Sequence, residues 1–307
     1  MKSQILILLL ISFGFFLKGQ AQYNKVCSHG VDIYYRIFGT GIPILIVGGG
    51  PGDNSDRYLS LCNLLSLNHQ CILVDQRGTG KSIPEKLDST TITVDLTIQD
   101  FETIRKELGL SQWTVLGFSF GGFLASCYAE CYPRSISSLI LLGSMGLNTA
   151  IFGYFFDNVN SRLCLADKEQ FRYWNDSSRI AENPHHALVE RIRAIMPAYF
   201  FDREKSLVVS QEIKDNDFNF MMGELIWNDI KKKKVDLSSK KSTFGKPVLI
   251  LQGRQDPVGE SVPQLLSQYY QNSTLIFIEQ CGHYSWVEQP EKVTSIIHTF
   301  MLSQPSR

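Results

Sequence analysis

The chain has 307 residues, of which 44% are hydrophobic, so it can bury a sizeable core and is neither disordered nor fibrous in composition. Its 30 Lys and Arg residues balance 30 Asp and Glu residues, which excludes a strong overall field that would recruit nucleic acid or an anionic membrane. These totals are compatible with one α/β domain carrying an insertion, or with two small domains. The one basic run, residues 231–234, is interpreted as a solvated helix end or loop.

Residues 1–21 have the pattern of a secretory signal peptide. Lys2 supplies a positive charge, residues 5–17 form an apolar stretch, and Gly19-Gln20-Ala21 is a small-x-small cleavage site. The apolar stretch is shorter than the about 20 residues needed to cross a bilayer. We therefore expect export to a bacterial periplasm or beyond, with no stable membrane insertion after cleavage.

Export would permit disulfides among the seven cysteines. Their odd number leaves at least one unpaired, and their spacing does not determine a pairing. The Cys and His spacings do not resemble those of a zinc site, so the sequence implies no bound metal.

Short apolar runs alternate with segments of helical periodicity along most of the chain, a pattern typical of a mostly parallel sheet. The predicted strands are Ile33–Phe38, Ile44–Val47, Cys71–Val74, Trp113–Leu116, Ser138–Leu142, Val248–Leu251 and Thr274–Ile278. The predicted helices are Ser55–Ser66, Thr91–Leu108, Phe120–Cys131, Val262–Tyr270 and Pro290–Leu302. The pattern predicts an α/β fold whose central sheet is flanked by helices.

The pattern changes between residues 145 and 242. Aromatic residues such as Phe152, Phe155 and Trp174 are dense there, and we find no apolar run of the buried-strand type in that part of the sequence. We predict a helical cap over residues 145–242 that covers the carboxyl edge of the sheet. The cap interrupts a single core domain made of residues 22–144 and 243–307.

Ser119 lies in the motif Gly117-Phe118-Ser119-Phe120-Gly121, between a predicted strand and a predicted helix. A strand followed by Gly-x-Ser-x-Gly and a helix is the context of an activated serine on a sharp turn. The flanking glycines leave room for the neighbouring strand and helix. Ser119 is therefore the candidate nucleophile.

Asp256 and His283 are the candidate partners of Ser119, because a serine hydroxyl needs a base that is itself oriented by a third group. Asp256 lies in the loop after the predicted strand Val248–Leu251, and His283 follows the next predicted strand. All three side chains are thus expected beyond the carboxyl ends of strands, where an open α/β sheet gathers its site. The order Ser, Asp, His is that of α/β hydrolases.

Two backbone N–H groups are candidates for an oxyanion hole. One belongs to Phe120, which follows the nucleophile, and the other to Gly50 in the loop Gly48-Gly49-Gly50-Pro51-Gly52 after an early strand. A phosphate-binding loop is excluded at this position, since neither its lysine-serine ending nor the dinucleotide spacing is present.

A second glycine-containing segment, residues 75–82, ends in Gly80-Lys81-Ser82. A nucleotide-binding loop would require a glycine five residues before Gly80, where Asp75 stands. We interpret this segment as a structural turn that supports the site through Asp75 and Arg77.

These motifs resemble the α/β-hydrolase family and, within it, the proline iminopeptidase-like branch. The resemblance extends from about Gly30 to Phe300 and includes the Gly-Gly-Pro-Gly loop, the segment at 75–82, the Ser119 motif, Gly253-Arg254-Gln255-Asp256 and Gly282-His283. It implies the family fold, the Ser119, Asp256 and His283 triad, and hydrolysis without a cofactor.

The sequence departs from that branch at two places. Loops of this type usually begin with histidine, whereas Gly48 stands here, so the support of the loop is expected to differ. The iminopeptidases also hold the free amino group of the substrate through acidic cap residues, one in a Glu-Asn-His-Tyr-type segment that this sequence lacks. Glutamates of the predicted cap are the candidates to hold the amino group instead. We assign substrate binding to Glu224, and the other candidates are Glu182, Glu190 and Glu212.

The predicted function is therefore hydrolysis of an ester or amide bond through an acyl-enzyme. The expected substrate is a small molecule or a short peptide with a free N-terminus, as for a proline iminopeptidase-like aminopeptidase. The alternatives are a carboxylesterase for small uncharged esters and a non-catalytic ligand-binding protein on the same fold. The sequence implies no nucleic-acid partner, and it leaves the oligomeric state open.

Overall fold

A computed structural model describes residues 21–304, whose centre is an eight-stranded sheet with the order β1-β2-β4-β3-β5-β6-β7-β8. Strands β1 and β2 run antiparallel to their neighbours, and the rest of the sheet is parallel. The strands are β1 Tyr23–Ser28, β2 Val31–Phe38, β3 Pro43–Val47, β4 Gln70–Val74, β5 Trp113–Phe118, β6 Ile136–Leu142, β7 Val248–Gly253 and β8 Ser273–Ile278. The predicted fold class is confirmed.

Helices of the core cover both faces of the sheet. Phe101 and Phe123 pack on one face, and Leu61 and Ile297 belong to the cluster on the other face. These helices are α1 Leu59–Leu65, α2 Val94–Glu107, α3 Phe120–Cys131, and later in the chain Ser261–Tyr269, Ser285–Glu288 and Pro290–Leu302. The predicted helix at 55–66 begins as a 3₁₀ turn, Ser55–Tyr58, before it becomes α1.

Helices also fill the segment predicted as the cap. They are α4 Phe155–Arg162, α5 Leu165–Trp174, α6 Ser177–Glu182, α7 Pro184–Ile195, α8 Arg203–Glu212 and α9 Phe220–Lys233, so the later core helices become α10, α11 and α12. The bounds 145 and 242 stay a prediction. The segment contacts the core where Asn219 N donates to Gly52 O at 2.8 Å and Asp53 forms an isolated antiparallel bridge with Phe218.

The predicted signal peptide lies outside the described residues, except for Ala21. Within residues 21–304, we find no helix with the length and apolar content needed to cross a membrane.

The carboxyl ends of the parallel strands share one edge of the sheet. Four loops begin there: the glycine loop 48–52 after β3, the turn at Ser119 after β5, the Asp256 loop after β7 and the His283 loop after β8. The topology therefore brings together segments that are up to about 230 residues apart in the sequence.

Candidate active site

Ser119 sits on a strained turn between β5 and α3. Its φ and ψ angles are 54° and −119°, a left-handed conformation that non-glycine residues seldom adopt. The neighbouring glycines permit this turn, since a Cβ on Gly117 would lie 2.4 Å from Gly121 O, and one on Gly121 would lie 2.3 Å from Val47 O. Ser119 itself is only partly buried. The turn thus presents the hydroxyl at the sheet edge, as the motif predicted.

Asp256 and His283 form a buried pair. Asp256 Oδ2 lies 2.7 Å from His283 Nδ1, and the two side chains are 0% and 4% exposed. Val258 N donates to the other carboxylate oxygen at 2.8 Å, and His283 N donates to Tyr199 O at 2.7 Å. The Asp256 carboxylate and the backbone of Tyr199 therefore fix the position of His283, and the second ring nitrogen, Nε2, points away from the aspartate.

The end of β5 is in contact with this pair. The ring of Phe118, the residue before Ser119, lies 4.6 Å from the imidazole of His283 between centroids. The hydrogen bonds formed by residues 21–304 do not include one from Ser119 Oγ to His283. Such bonds are often long in a free enzyme and tighten when substrate binds.

Gly143, directly after β6, makes room for the pair. A Cβ at this position would lie 3.1 Å from His283 Nδ1 and 3.2 Å from Asp256 Oδ2. The end of β6 carries no aspartate, and the missing side chain at Gly143 leaves room there for Asp256, which follows β7.

The glycine loop lies over Ser119. A Cβ on Gly49 would be 2.7 Å from Ser119 Cβ, so the backbone of the loop is the part that approaches the nucleophile. Gly50 has a φ of 59°, and its carbonyl accepts from Asp53 N at 2.9 Å, which closes the turn. Phe120 begins α3, and its N–H consequently has no acceptor within the helix. The two predicted oxyanion donors thus come from segments that meet at Ser119.

Tyr58 fills the space next to Gly48. A Cβ on Gly48 would lie 2.2 Å from Tyr58 Cε2, and the ring therefore takes the place that a larger residue at 48 would need. Its hydroxyl lies 2.8 Å from both Gly49 O and Asp53 Oδ2. Tyr58 was not predicted as a site residue, because nothing in a helical segment ten residues after Gly48 signals such a contact.

In the segment at 75–82, a residue that the prediction did not name contacts the glycine loop. Gln76 Nε2 donates to Gly48 O at 2.9 Å and so contacts the glycine loop directly. Arg77 Nε donates to Asp100 Oδ2 at 2.9 Å, and Asp75 accepts from Lys81 N at 2.8 Å. Asp75 and Arg77 therefore stabilise the turn, while Gln76 connects it to the loop.

A cluster of buried polar groups adjoins the glycine loop. Arg57 Nε donates to Asp53 Oδ2 at 3.2 Å, and its Nη2 donates to the hydroxyl of Tyr284, the residue after His283, at 3.2 Å. Burial raises the pKa of Asp53 to about 6, although Arg57 opposes the rise. The cluster links the loop after β3 to the loop that carries His283.

The predicted substitutes for an amine-binding cap residue differ in their surroundings. Glu182 and Glu212 are exposed, and Glu190 is engaged by Arg193. Glu224 is also exposed, but it lies on the first turns of α9, where a Cβ on Gly223 would meet Pro51 O at 2.7 Å and Trp227 packs on Phe120 with centroids 5.2 Å apart.

An open, mostly parallel sheet with a serine on a tight strand–helix turn and a paired aspartate and histidine at the same edge defines a hydrolase of the α/β class. The chain belongs to the α/β-hydrolase fold family, whose model matches residues 42–290.

Comparison with curated proteins confirms the resemblance to the proline iminopeptidase-like branch. The chain is 24% identical to a proline iminopeptidase of Saccharolobus solfataricus over 94% of each chain. It is 26% identical to one of Thermoplasma volcanium over 91% of this chain and 95% of the relative.

Solved structures share the fold at low sequence identity. A serine hydrolase from Cycloclasticus zankles superposes with a TM-score of 0.71 at 16% identity, covering 94% of this chain and 100% of the other. A thermophilic esterase from Thermogutta terrifontis gives 0.69 at 21% identity, covering 93% and 100%. Likeness at this identity shows the fold alone.

Proposed function

We propose that the protein is a serine hydrolase that cleaves an ester or amide bond through an acyl-enzyme. The observation that carries this proposal is the 2.7 Å contact between His283 Nδ1 and Asp256 Oδ2, at the sheet edge where Ser119 occupies a left-handed turn. A base held in one orientation, at the same sheet edge as a partly exposed alcohol, is what activation of a serine requires.

In the proposed mechanism, Ser119 Oγ attacks the substrate carbonyl carbon while its proton passes to His283 Nε2. Asp256 orients the imidazole and stabilises its cationic form, and the N–H groups of Phe120 and Gly50 donate to the oxyanion. The tetrahedral intermediate then breaks its bond to the leaving group, which takes the proton from His283. Water releases the acyl group by the same steps, so the scheme requires no cofactor.

Among substrates, we favour a short peptide with a free N-terminus, in the manner of the iminopeptidases that the chain resembles. We assign the binding of this N-terminus to Glu224, because its neighbours Gly223 and Trp227 on α9 lie against Pro51 of the glycine loop and against Phe120, while Glu224 itself is exposed. A carboxylate there would hold a substrate ammonium group close to the acyl carbon.

The second candidate is a carboxylesterase for small uncharged esters. It is favoured by the aromatic contacts of the cap beside Phe120, where Trp227 lies 5.2 Å from both the Phe120 and the Phe152 rings. An apolar surface of this kind suits an uncharged acyl group as well as a prolyl ring.

Covalent labelling tests the chemistry. A fluorophosphonate should label the wild-type protein, and Ser119→Ala should abolish labelling while the folded state persists in thermal unfolding. Absence of labelling in folded wild-type protein would favour the third possibility, a binding protein without turnover.

Substrate comparison tests the choice between peptidase and esterase. L-proline p-nitroanilide should be hydrolysed, and Glu224→Gln should raise its KM by roughly 10-fold or more, as expected for loss of a charge-assisted contact. The KM for p-nitrophenyl butyrate should stay unchanged in that variant. Glu182→Gln, at an exposed position of α6, is the matched control. Hydrolysis of esters alone would remove the aminopeptidase proposal.

A further inference from the structure

Two side chains from different elements hold the carbonyl groups of the glycine loop. Gln76 Nε2 donates to Gly48 O at 2.9 Å, and the Tyr58 hydroxyl lies 2.8 Å from Gly49 O. Tyr58 is 3% exposed and Gln76 6% exposed, so solvent does not compete effectively for these bonds. The contacts fix two successive peptide units of the loop beside Ser119.

A trans peptide unit is planar, and its C=O and N–H groups point in opposite directions. The unit that contains the carbonyl of Gly49 also contains the N–H of Gly50. The hydroxyl that holds Gly49 O therefore sets the direction of the N–H proposed above as an oxyanion donor. We propose that Tyr58 is a positioning residue that orients the Gly50 N–H for the oxyanion, an inference that rests on the proposed hydrolase function.

Gly48 explains how a tyrosine can take this place. The Tyr58 ring lies where a side chain at position 48 would have to go, with 2.2 Å between the ring and a Cβ built on Gly48. The ring also packs against Phe118, with centroids 5.9 Å apart. A histidine at position 48, which is usual at the start of such loops, would therefore occupy the space that the Tyr58 ring fills here.

The surroundings of Tyr58 keep its hydroxyl protonated, so that it can donate a hydrogen bond. Burial raises the pKa of Tyr58 well above its ordinary value, so the phenol keeps its proton. Asp53 Oδ2 is a second acceptor at 2.8 Å, and Arg57 Nε donates to the same oxygen at 3.2 Å. Among the hydrogen bonds of residues 21–304, Gly49 O accepts only from Tyr58, whereas Asp53 Oδ2 also accepts from Arg57, so we assign the phenolic proton to Gly49 O.

Tyr58→Phe removes the hydroxyl and keeps the ring against Gly48. We expect kcat to fall about 10- to 100-fold, less than the 100- to 1,000-fold typical for loss of an oxyanion donor itself, while KM changes less than about 2-fold. The inhibition constant of a small alkylboronic acid should rise by the factor by which kcat/KM falls. The tetrahedral adduct of the boronic acid with the serine places an oxygen in the oxyanion position. If Tyr58 only stabilised the fold, the inhibition constant of correctly folded protein would not change.

Tyr128→Phe is the matched control, because the Tyr128 hydroxyl donates to Glu102 at 2.8 Å among Phe101 and Trp113 in the core. It should leave kcat and the boronic acid constant within about 2-fold of wild type. Titration of active sites with a fluorophosphonate corrects both variants for any unfolded fraction.

The outcomes separate the two proposals. An unchanged boronic acid constant in Tyr58→Phe, or an equal loss of kcat in Tyr128→Phe, would overturn the role of Tyr58. Wild-type protein that is folded but neither labelled nor active would instead overturn the proposed hydrolase function.

Discussion

Asp53 carries its carboxylate into a nearly closed space beside the glycine loop, with its side chain 10% exposed. Arg57 favours the ionised carboxylate, but desolvation has the larger effect and raises the pKa to about 6. The nearby carboxylate of Asp217 contributes to the rise because like charges disfavour ionisation. The protein thus retains, next to its candidate oxyanion hole, a group that takes up a proton in mildly acidic solution.

This pKa predicts how the free energy of unfolding depends on pH. The pKa of Asp53 is about 6 in the folded state against 3.8 without the fold, so the folded state binds more protons between these values. The stabilisation is fully present below pH about 4 and is lost as pH rises past about 6. Relative to Asp53→Asn, wild-type protein should therefore lose about 2 kcal/mol of stability between pH 4 and pH 7, measured by urea unfolding.

The control for this measurement is Asp157→Asn, at an exposed position of α4. Its difference from wild type should vary by less than about 1 kcal/mol over the same range. A pH-independent difference between wild type and Asp53→Asn would show that Asp53 does not titrate in that range.

Individual residues differ in how far the sequence could predict them. Ser119, Asp256 and His283 follow strand ends in a fixed order, and strand ends are visible as apolar runs closed by glycine or polar residues. Tyr58 could not be predicted in this way. Its role depends on the absence of a side chain at Gly48 and on the angle at which the 3₁₀ turn enters α1, neither of which leaves a pattern in the chain.

At the scale of elements, α11 joins the His283 loop to the segment at residues 199–202. Glu288 Oε1 accepts from the N–H groups of Phe201 and Asp202 at 2.9 and 2.7 Å, and Oε2 accepts from Gly282 N at 2.5 Å. Tyr199 O, in the same segment, accepts from His283 N. The buried carboxylate of Glu288 therefore holds the backbone directly before His283 and also the backbone that follows Tyr199.

Replacing Glu288 by glutamine should loosen this connection. An amide presents N–H groups where three backbone donors converge, so at least one bond to a charged acceptor is lost and a donor meets a donor. We expect a loss of about 2–4 kcal/mol in the free energy of unfolding, together with a lower kcat because Tyr199 and His283 are held less firmly. Urea unfolding and steady-state hydrolysis of p-nitrophenyl butyrate measure the two effects.

Glu291→Gln, an exposed position in the first turn of α12, provides the comparison. It should change stability by less than about 1 kcal/mol and leave kcat at the wild-type value. Equal stability of the two variants would contradict the role given to Glu288.

The elements themselves were largely predictable, and the exception has a physical cause. The seven predicted strands are present with ends that differ by at most two residues. Six of them form the parallel part of the sheet, and buried parallel strands appear as continuous apolar runs. Strand β1 was missed. It is an antiparallel edge strand with mostly exposed or half-buried side chains, and Tyr23–Ser28 contains neither a continuous apolar run nor strict alternation.

At the scale of the whole molecule, the strand order determines where the site lies. From β3 the sheet continues to β4 on one side and to β5 on the other, so β3 and β5 flank the point where the winding reverses. In open α/β sheets the crevice for ligands lies at this point, outside the carboxyl ends of the strands. The glycine loop after β3 and Ser119 after β5 meet there, and the cap segment at residues 217–219 contacts the same loop.

Residues 1–21 predict where the whole protein is located, because their pattern is that of a signal peptide for export. Strand β1 begins at Tyr23, so cleavage after Ala21 would leave its pairing with β2 intact, starting from the Tyr23 and Arg36 pair. We expect full-length protein made in a bacterial host to collect in the periplasm with Gln22 as its first residue, as determined by intact mass. A chain starting at Gln22 behind a new Met should stay in the cytoplasm with the same activity. Protein that keeps Met1 and stays in the cytoplasm would contradict the signal peptide and would leave the proposal for Ser119, Asp256 and His283 unaffected.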